Sequence, residues 1–330
     1  LSDFSISGLG LDVKGNVTAT QIKTEPSFNG KLAVAPFDLR VLLQSLKQDV
    51  PVTADPNVLK RVSLTTGFSG GGKRLLLKDL KAELDDSRLQ GNVNVLSTEP
   101  LNLEFGLGLD KLNLDRYLPP QADSKQKAAT PEAVAAGAAT EIPVETLRAL
   151  KIKGDFAMGQ FVMANAHLTD LELSIRANDG DIKLTPIRSK LYDGTYNGDI
   201  HIDATGKEPK LVTKTELTGV QTEPLLKDFT GSADVSGEAN IKLDLHSQGV
   251  DTERLKRRLS GKGEIKFLNG IFRGVDIPKV LRQVEIIYES KRPRAIDKEG
   301  ETRFDSLTAT MDIRNGIVDN DDMLVLADGF

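Results

Sequence analysis

The 330-residue chain has no Cys and no Trp, only three His, and aromatic residues at 5%. Without Cys there is no disulfide framework, no thiolate metal site and no cysteine nucleophile. The histidines, His167, His201 and His246, are too widely spaced for a His-rich metal cluster. A formal charge of -5 argues against a general nucleic-acid binder and leaves only local basic patches to weigh. The longest apolar run, Ala133 to Ala139, falls far short of the about 20 residues that a membrane-crossing helix needs. The chain opens at Leu1 with neither an initiator Met nor a signal-like segment, so it reads as a fragment of something longer whose anchor is left out. Absence of Cys fits a cytosolic protein and equally a periplasmic one built without disulfides.

What is present is alternation. Leu101, Leu103, Phe105, Leu107 and Leu109 interleave with Asn102, Glu104, Gly106, Gly108 and Asp110, and Val235 to Leu245 repeats the pattern over eleven residues. Shorter copies occur at Val93/Val95, Leu171/Leu173/Ile175, Ile200/Ile202 and Leu307/Ala309/Met311/Ile313. A period of two with one apolar side is the mark of antiparallel strands with a wet face and a dry face. Asn29-Gly30, Asp179-Gly180, Asn197-Gly198 and Asn315-Gly316 supply candidate hairpin turns, and short connections suggest that consecutive strands pair as a meander. Helical spacing is confined to Pro36–Leu46 and Val275–Tyr288. Residues 119–145, rich in Ala, Pro, Gln, Lys, Ser and Thr, have too little apolar surface to offset ordering and read as a disordered loop. The expected organisation is therefore β units over 1–118, the loop over 119–145, further β units over 146–249 and a C-terminal β region over 250–330 with a helix over 275–288.

Four segments share one grammar: an apolar residue, then Asp, Asn or Gln, then Leu, Thr or Ile, with Leu four positions later. They are Phe37-Asp38-Leu39…Leu43, Leu112-Asn113-Leu114…Leu118, Val220-Gln221-Thr222…Leu226 and Val275-Asp276-Ile277…Leu281. Each is expected to close a strand and open a short helix. Leu77-Lys78-Asp79-Leu80 is echoed by Leu168-Thr169-Asp170-Leu171, and Glu-Pro recurs at 25, 99 and 208.

Chemistry-bearing motifs are few. Gly67 to Arg74 has the spacing of a phosphate-cradling loop, but Arg74 stands where Ser or Thr must hold Mg²⁺, so a Gly-rich hairpin turn is the better reading. Asp319-Asn320-Asp321-Asp322 lacks calcium-loop spacing and reads as a solvated turn. No catalytic residue and no metal site is proposed from spacing, and the chain reads as no enzyme. Residues 251–298 hold 13 Lys/Arg against 7 Asp/Glu, a local +6 that leaves -11 elsewhere. Arg254, Lys256, Arg257, Arg258 and Lys262 form a candidate patch for headgroups or an acidic partner, with Lys291, Arg292 and Arg294 beyond; a solvated face is the plainer explanation.

A one-sided sheet must hide its dry face in a sandwich, in a barrel, or against an apolar ligand in a trough. Candidate lining residues are Val93, Val95, Leu101, Leu103, Phe105, Leu107, Leu109, Leu171, Leu173, Ile175, Ile241 and Leu243. Such a surface suits acyl chains. At ~0.8 kcal/mol per CH₂, a diacyl lipid of roughly 30 methylenes costs on the order of 24 kcal/mol to expose to water, which is why transfer needs an apolar path.

The stretch Leu259-Ser260-Gly261-Lys262-Gly263 through Leu268-Asn269-Gly270-Ile271-Phe272-Arg273-Gly274-Val275-Asp276-Ile277, with the Gly-polar-aliphatic strands and Glu-Pro punctuation, resembles the AsmA family of bacterial envelope proteins. The resemblance implies a periplasmic segment, tethered to the inner membrane by an anchor absent from this chain and acting in outer-membrane biogenesis. It further implies similarity to chorein-type bridge-like lipid-transfer proteins: a long curved antiparallel sheet, trough-like and built from repeats, with a few short helices and a groove for phospholipids. No cofactor and no nucleic acid are implied. Outer-membrane or periplasmic proteins are possible partners, and an assembly factor acting through exposed β-edges is the alternative reading.

Overall fold

A computed structural model describes residues 2–20, 26–120, 142–290 and 299–327. Its strands form an open, mainly antiparallel sheet of 17 strands. Two compact units divide it, one made of the chain before the Ala-rich stretch with residues 143–189 and 200–209, the other of residues 190–199 and those from 210 onward. Most of the stretch 119–145 lies outside the described residues, and a helix, Val144–Ala149, takes its last two positions.

In the first unit, β1 (Ser2–Gly8), β2 (Leu11–Thr20), β3 (Ser27–Phe37), β4 (Val62–Gly71), β5 (Arg74–Leu84), β6 (Ser87–Thr98) and β7 (Leu101–Asn113) pair antiparallel in chain order. Then the meander breaks: β8 (Lys151–Met163) lies parallel to β7, with Leu103 opposite Ile152 and Leu109 opposite Met158. A parallel pair needs a crossover of a dozen or more residues, and residues 114–150 supply it. β9 (Ala166–Asn178) returns antiparallel, and β10 (Asp181–Leu191) follows. The remaining strands are β11 (Gly194–Asp203), whose residues are shared between the units, and β12 (Lys210–Gln221), β13 (Val235–Gln248), β14 (Ser260–Arg273), β15 (Glu301–Arg314), β16 (Ile317–Asp319) and β17 (Leu324–Leu326) of the second. There β12 to β15 pair antiparallel in order, and β15 carries both short edge strands.

The repeated grammar is a capping device. Asp38, Asn113 and Gln221 are the N-cap residues of Leu39–Ser45, the 3-10 turn Leu114–Arg116 and Thr222–Thr230, and Asp276 precedes Ile277–Ser290. The carboxylates of Asp38 and Asp276 and the amide oxygen of Asn113 accept backbone N–H bonds from Val41, Lys279 and Asp115 at 3.1, 2.8 and 3.1 Å, satisfying orphan donors of the first turn. Pro36 belongs to β3 and not to the helix, because the cap at Asp38 starts the helix after it.

Turn expectations divide. Asp179-Gly180 and Asn315-Gly316 are two-residue turns with φ of 48° and 90°, and 52° and 77°. Asn29-Gly30 and Asn197-Gly198, however, lie inside β3 and β11. At Gly30 the missing side chain serves a different purpose: a Cβ there would come within 1.9 Å of the Asn16 carbonyl oxygen on β2 and 2.8 Å of the ring of Phe68, directly opposite on β4. Phe4 over Gly15, Phe28 over Gly70 and Phe105 over Gly154 repeat the arrangement, so aromatic rings lie flat across glycine backbone.

Beside these strands sits a polar cap with no local signature in the sequence. The carboxylate of Asp85, in the β5–β6 turn, accepts from the backbone N–H groups of Leu59, Lys60 and Arg61 at 2.7, 3.0 and 3.2 Å and from the Tyr117 hydroxyl at 2.9 Å. Arg116 donates to Asp55 at 2.9 Å and to Asp86 at 2.8 Å. The backbone N–H of Asn57 and the guanidinium of Arg116 hold the Asp55 carboxyl below its usual range. Burial pushes Asp86 up, but hydrogen bonds from Lys111 and Arg116 outweigh it and leave that carboxyl lowered too.

Three outcomes test this account. Asp85→Asn, which keeps a turn-forming residue but removes an ionised acceptor of four bonds, should destabilise the chain by about 3 kcal/mol in urea denaturation. Because both carboxyls are depressed, their stabilisation is complete above the ordinary carboxylate value of 3.8 and is lost as pH falls below it. Arg116→Gln should therefore flatten the acid limb of a melting-temperature profile, and an unchanged limb refutes the pairing. Gly154→Val must displace the Phe105 ring and should cost about 1–3 kcal/mol. Gly106→Val, where a Cβ meets nothing within 4 Å, should cost far less, and equal losses would contradict the packing.

Candidate functional site: the apolar sheet face

In a sheet, residues directly opposite one another point to the same side, so register alone assembles the face. In the first unit the rows run Leu75–Val95–Leu103–Ile152–Ala177, Leu77–Val93–Phe105–Gly154–Ile175, Leu80–Gly91–Leu107–Phe156–Leu173 and Ala82–Leu89–Leu109–Met158–Leu171 across β5 to β9. Every member is apolar or glycine. At strand and residue spacings this covers roughly 20 Å in each direction. Val93, Val95, Leu103, Phe105, Leu107, Leu109, Leu171, Leu173 and Ile175 are all brought together there, and Leu101 shares their phase at the strand's exposed first residue.

Burial tells what covers it. Leu80, Met158 and Ala177 are buried, but the nine central predicted residues are only half-buried. Their neighbours Asn92, Lys153, Asp155, Glu172 and Arg176 are exposed. A filled sandwich would bury such rows against a second sheet.

The second unit builds its own face. Leu217–Ile241–Ile265–Ala309 and Thr215–Leu243–Gly263–Met311 are successive rows across β12 to β15, with Val220–Ala239–Phe267–Leu307 beside them. Ile241 and Leu243 are half-buried, while Ala239, Leu307 and Ala309 are buried.

Sequence reading missed β8. Ile152, Phe156 and Met158 complete the rows, yet Gly154 and Gly159 interrupt the alternation that would have revealed them. The signal was Gly154 itself, since a glycine in phase with aliphatic residues marks a place for a neighbour's ring.

The candidate basic patch is only partly assembled. Arg254, Lys256 and Arg257 lie on the helix Thr252–Arg257, Arg258 follows it, and Lys262 is in β14. Arg254 pairs with Asp251 at 3.3 Å and Lys256 with Glu253 at 3.4 Å; Lys262 is opposite Asp244 and Asp312 in register. Lys291, Arg292 and Arg294 lie outside the described residues.

The decoys resolve structurally. Gly67–Gly71 ends β4, Gly72-Lys73 turns, and Arg74 begins β5. Asn320 and Asp322 replace a ladder partner for Thr310: Asp322 accepts its N–H at 2.8 Å and Asn320 donates to its carbonyl at 2.7 Å. These bonds from Thr310 hold the Asp322 carboxyl below its ordinary value. His201 meets Asp181 at 2.5 Å on a half-exposed surface. Among the described residues no cluster of His, Asp and Glu could hold a metal, and no helix is long and apolar enough to cross a membrane.

The chain is 19% identical over 326 residues to "Protein AsmA" of Escherichia coli (strain K12), covering 94% of this chain and 53% of that protein. It thus spans about half the length of the curated relative it matches. No solved structure matches. The family model for the AsmA family matches residues 14–323, nearly the whole length, and the chain belongs to that family.

Proposed function

We propose that this chain is a non-enzymatic segment that binds or conducts phospholipid along its apolar sheet face, within the periplasm and in the service of outer-membrane biogenesis. The observation that carries the proposal is the set of all-apolar rows left half-buried on a face with no charged member. Acyl chains need smooth apolar surface and no orienting hydrogen bonds, and the flat Phe–Gly pairs provide it. Membership of the AsmA family supports a role in the bacterial envelope.

A second reading has its own support. The edge strands β16 and β17 expose Ile317, Val318, Leu324 and Leu326, which suits strand addition by an outer-membrane protein precursor.

The double variant Phe105→Glu and Leu243→Glu puts one charge on the face of each unit. It should stay folded by circular dichroism while losing co-purified lipid and lipid transfer between vesicles. A folded variant with unchanged lipid content and transfer sinks the conduit. Photo-crosslinking from position 107 separates the two readings, since acyl-chain adducts favour the conduit and polypeptide adducts favour edge-mediated assembly.

A further inference from the structure

The wet face of the first unit carries a feature that the apolar face does not explain. Lys153 of β8 and Arg176 of β9 are directly opposite in register. Like charges so placed weaken a ladder, and sequences ordinarily put opposite charges there. Neighbouring cations are compensated: Lys151 pairs with Asp179 at 3.2 Å, and Lys183 with Asp181 at 2.8 Å. Neither Lys153 nor Arg176 has an ion-pair partner among the described residues, although Glu104 is opposite Lys153 on β7. Both line one cavity of about 380 Å³ with Lys151, Lys183, Glu104 and Asp181 in its wall; with Lys151 and Lys183 paired, two cations, Lys153 and Arg176, stand against the single carboxylate of Glu104.

We infer that this cavity is an oxyanion site, taking a phosphate group between Lys153 and Arg176. The guanidinium offers a planar pair of donors that matches two phosphate oxygens, and the ammonium adds a mobile point charge from the facing strand. A bound phosphate removes the like-charge repulsion that the empty ladder carries. The chemistry is shared by a phospholipid headgroup and by a free phosphorylated solute. The site is on the opposite side of the sheet from the acyl-lining rows, so it stands independently of the conduit.

The test uses the purified chain at low ionic strength, with inorganic phosphate followed by calorimetry and by melting temperature, and chloride at matched ionic strength as control. Phosphate should bind and raise the melting temperature, and Lys153→Gln with Arg176→Gln should weaken binding by about tenfold or more. Without phosphate the double variant should melt no lower than the parent, because repulsion has been removed. Co-sedimentation with phosphatidylcholine vesicles, with and without phosphatidylglycerol, then identifies the source. Retention that depends on phosphatidylglycerol and on the pair, and that phosphate competes away, assigns a headgroup. Phosphate binding without such retention assigns a soluble phosphate compound. The site is overturned if chloride reproduces the phosphate effect or if the double variant binds phosphate as the parent does. Phe105→Glu with Leu243→Glu should leave phosphate binding intact, so failure of one proposal is distinguishable from failure of the other.

Discussion

Everything in this chain depends on strand register. Side chains alternate sides with a period of two, so a slip of one residue would carry Leu103, Phe105, Leu107 and Leu109 to water and bring Glu104 and Asp110 to the apolar face. A sheet with a packed second layer has its register enforced by that layer's shape. Here the central rows are half-buried, and among the described residues no second layer moulds them, so register must be fixed within the sheet and at its ends. The Phe–Gly pairs do the first: a ring can lie across only the strand position that lacks a Cβ, and neighbouring positions reject it. The Asp38 and Asn113 caps and the Asp85 and Arg116 cluster do the second, fixing where β3, β7 and the β5–β6 turn stop.

How much of this could be read in advance follows from the range of each interaction. Period-two alternation and the strand-to-helix segments are local, and both are legible: the four Asp/Asn/Gln positions all stand at the boundary between strand and helix or directly before the helix, although the capping bonds of Asp38, Asn113 and Asp276 are visible only in the structure. The parallel pairing of β7 and β8 was not, because it depends on where residues 114–150 return the chain, and nothing in either strand's own sequence encodes direction. Asn29-Gly30 and Asn197-Gly198 misled for a related reason. The dipeptide signals a turn only when its glycine is needed for backbone conformation, whereas Gly30 is needed for the close approach of the Asn16 carbonyl on one neighbouring strand and of the Phe68 ring, 38 positions away in sequence, on the other. The Asp85 cluster draws on residues from 55 to 117 and has no local signature at all.

The two faces also divide the chemistry. The apolar rows contain no charged residue, while the wet face between β7 and β10 holds cations and carboxylates in alternating neighbourhoods. Separation across one sheet thickness lets an aliphatic surface and a charged one coexist without burying an ion, whose desolvation would outweigh what a pair could return. A chain without Cys and with few His thus carries its ionisable groups as lysines, arginines and carboxylates gathered on one face.

The echo between Leu77-Lys78-Asp79-Leu80 and Leu168-Thr169-Asp170-Leu171 has a geometric basis. Two leucines three positions apart should point to opposite faces of a strand. In β5 they do not, because register shifts between Leu77 and Leu80, and both oppose members of the apolar rows, Val93 and Gly91. The extra residue is Asp79, with φ of 50°, and its N–H, left without a ladder partner, donates to the Asn92 side chain at 3.1 Å. Asp170 adopts the same conformation, with φ of 51°. In β12 the shift between Leu217 and Val220 is handled identically, with Gly219 donating to Asn240 at 3.0 Å. A bulge thus changes strand direction and twist while parity is restored on its far side, so the sheet can bend without interrupting the apolar face. The Leu-x-Asp-Leu motif is the sequence form of that requirement: Asp tolerates the left-handed backbone, and the odd spacing of the leucines records that one residue has been taken out of the alternation.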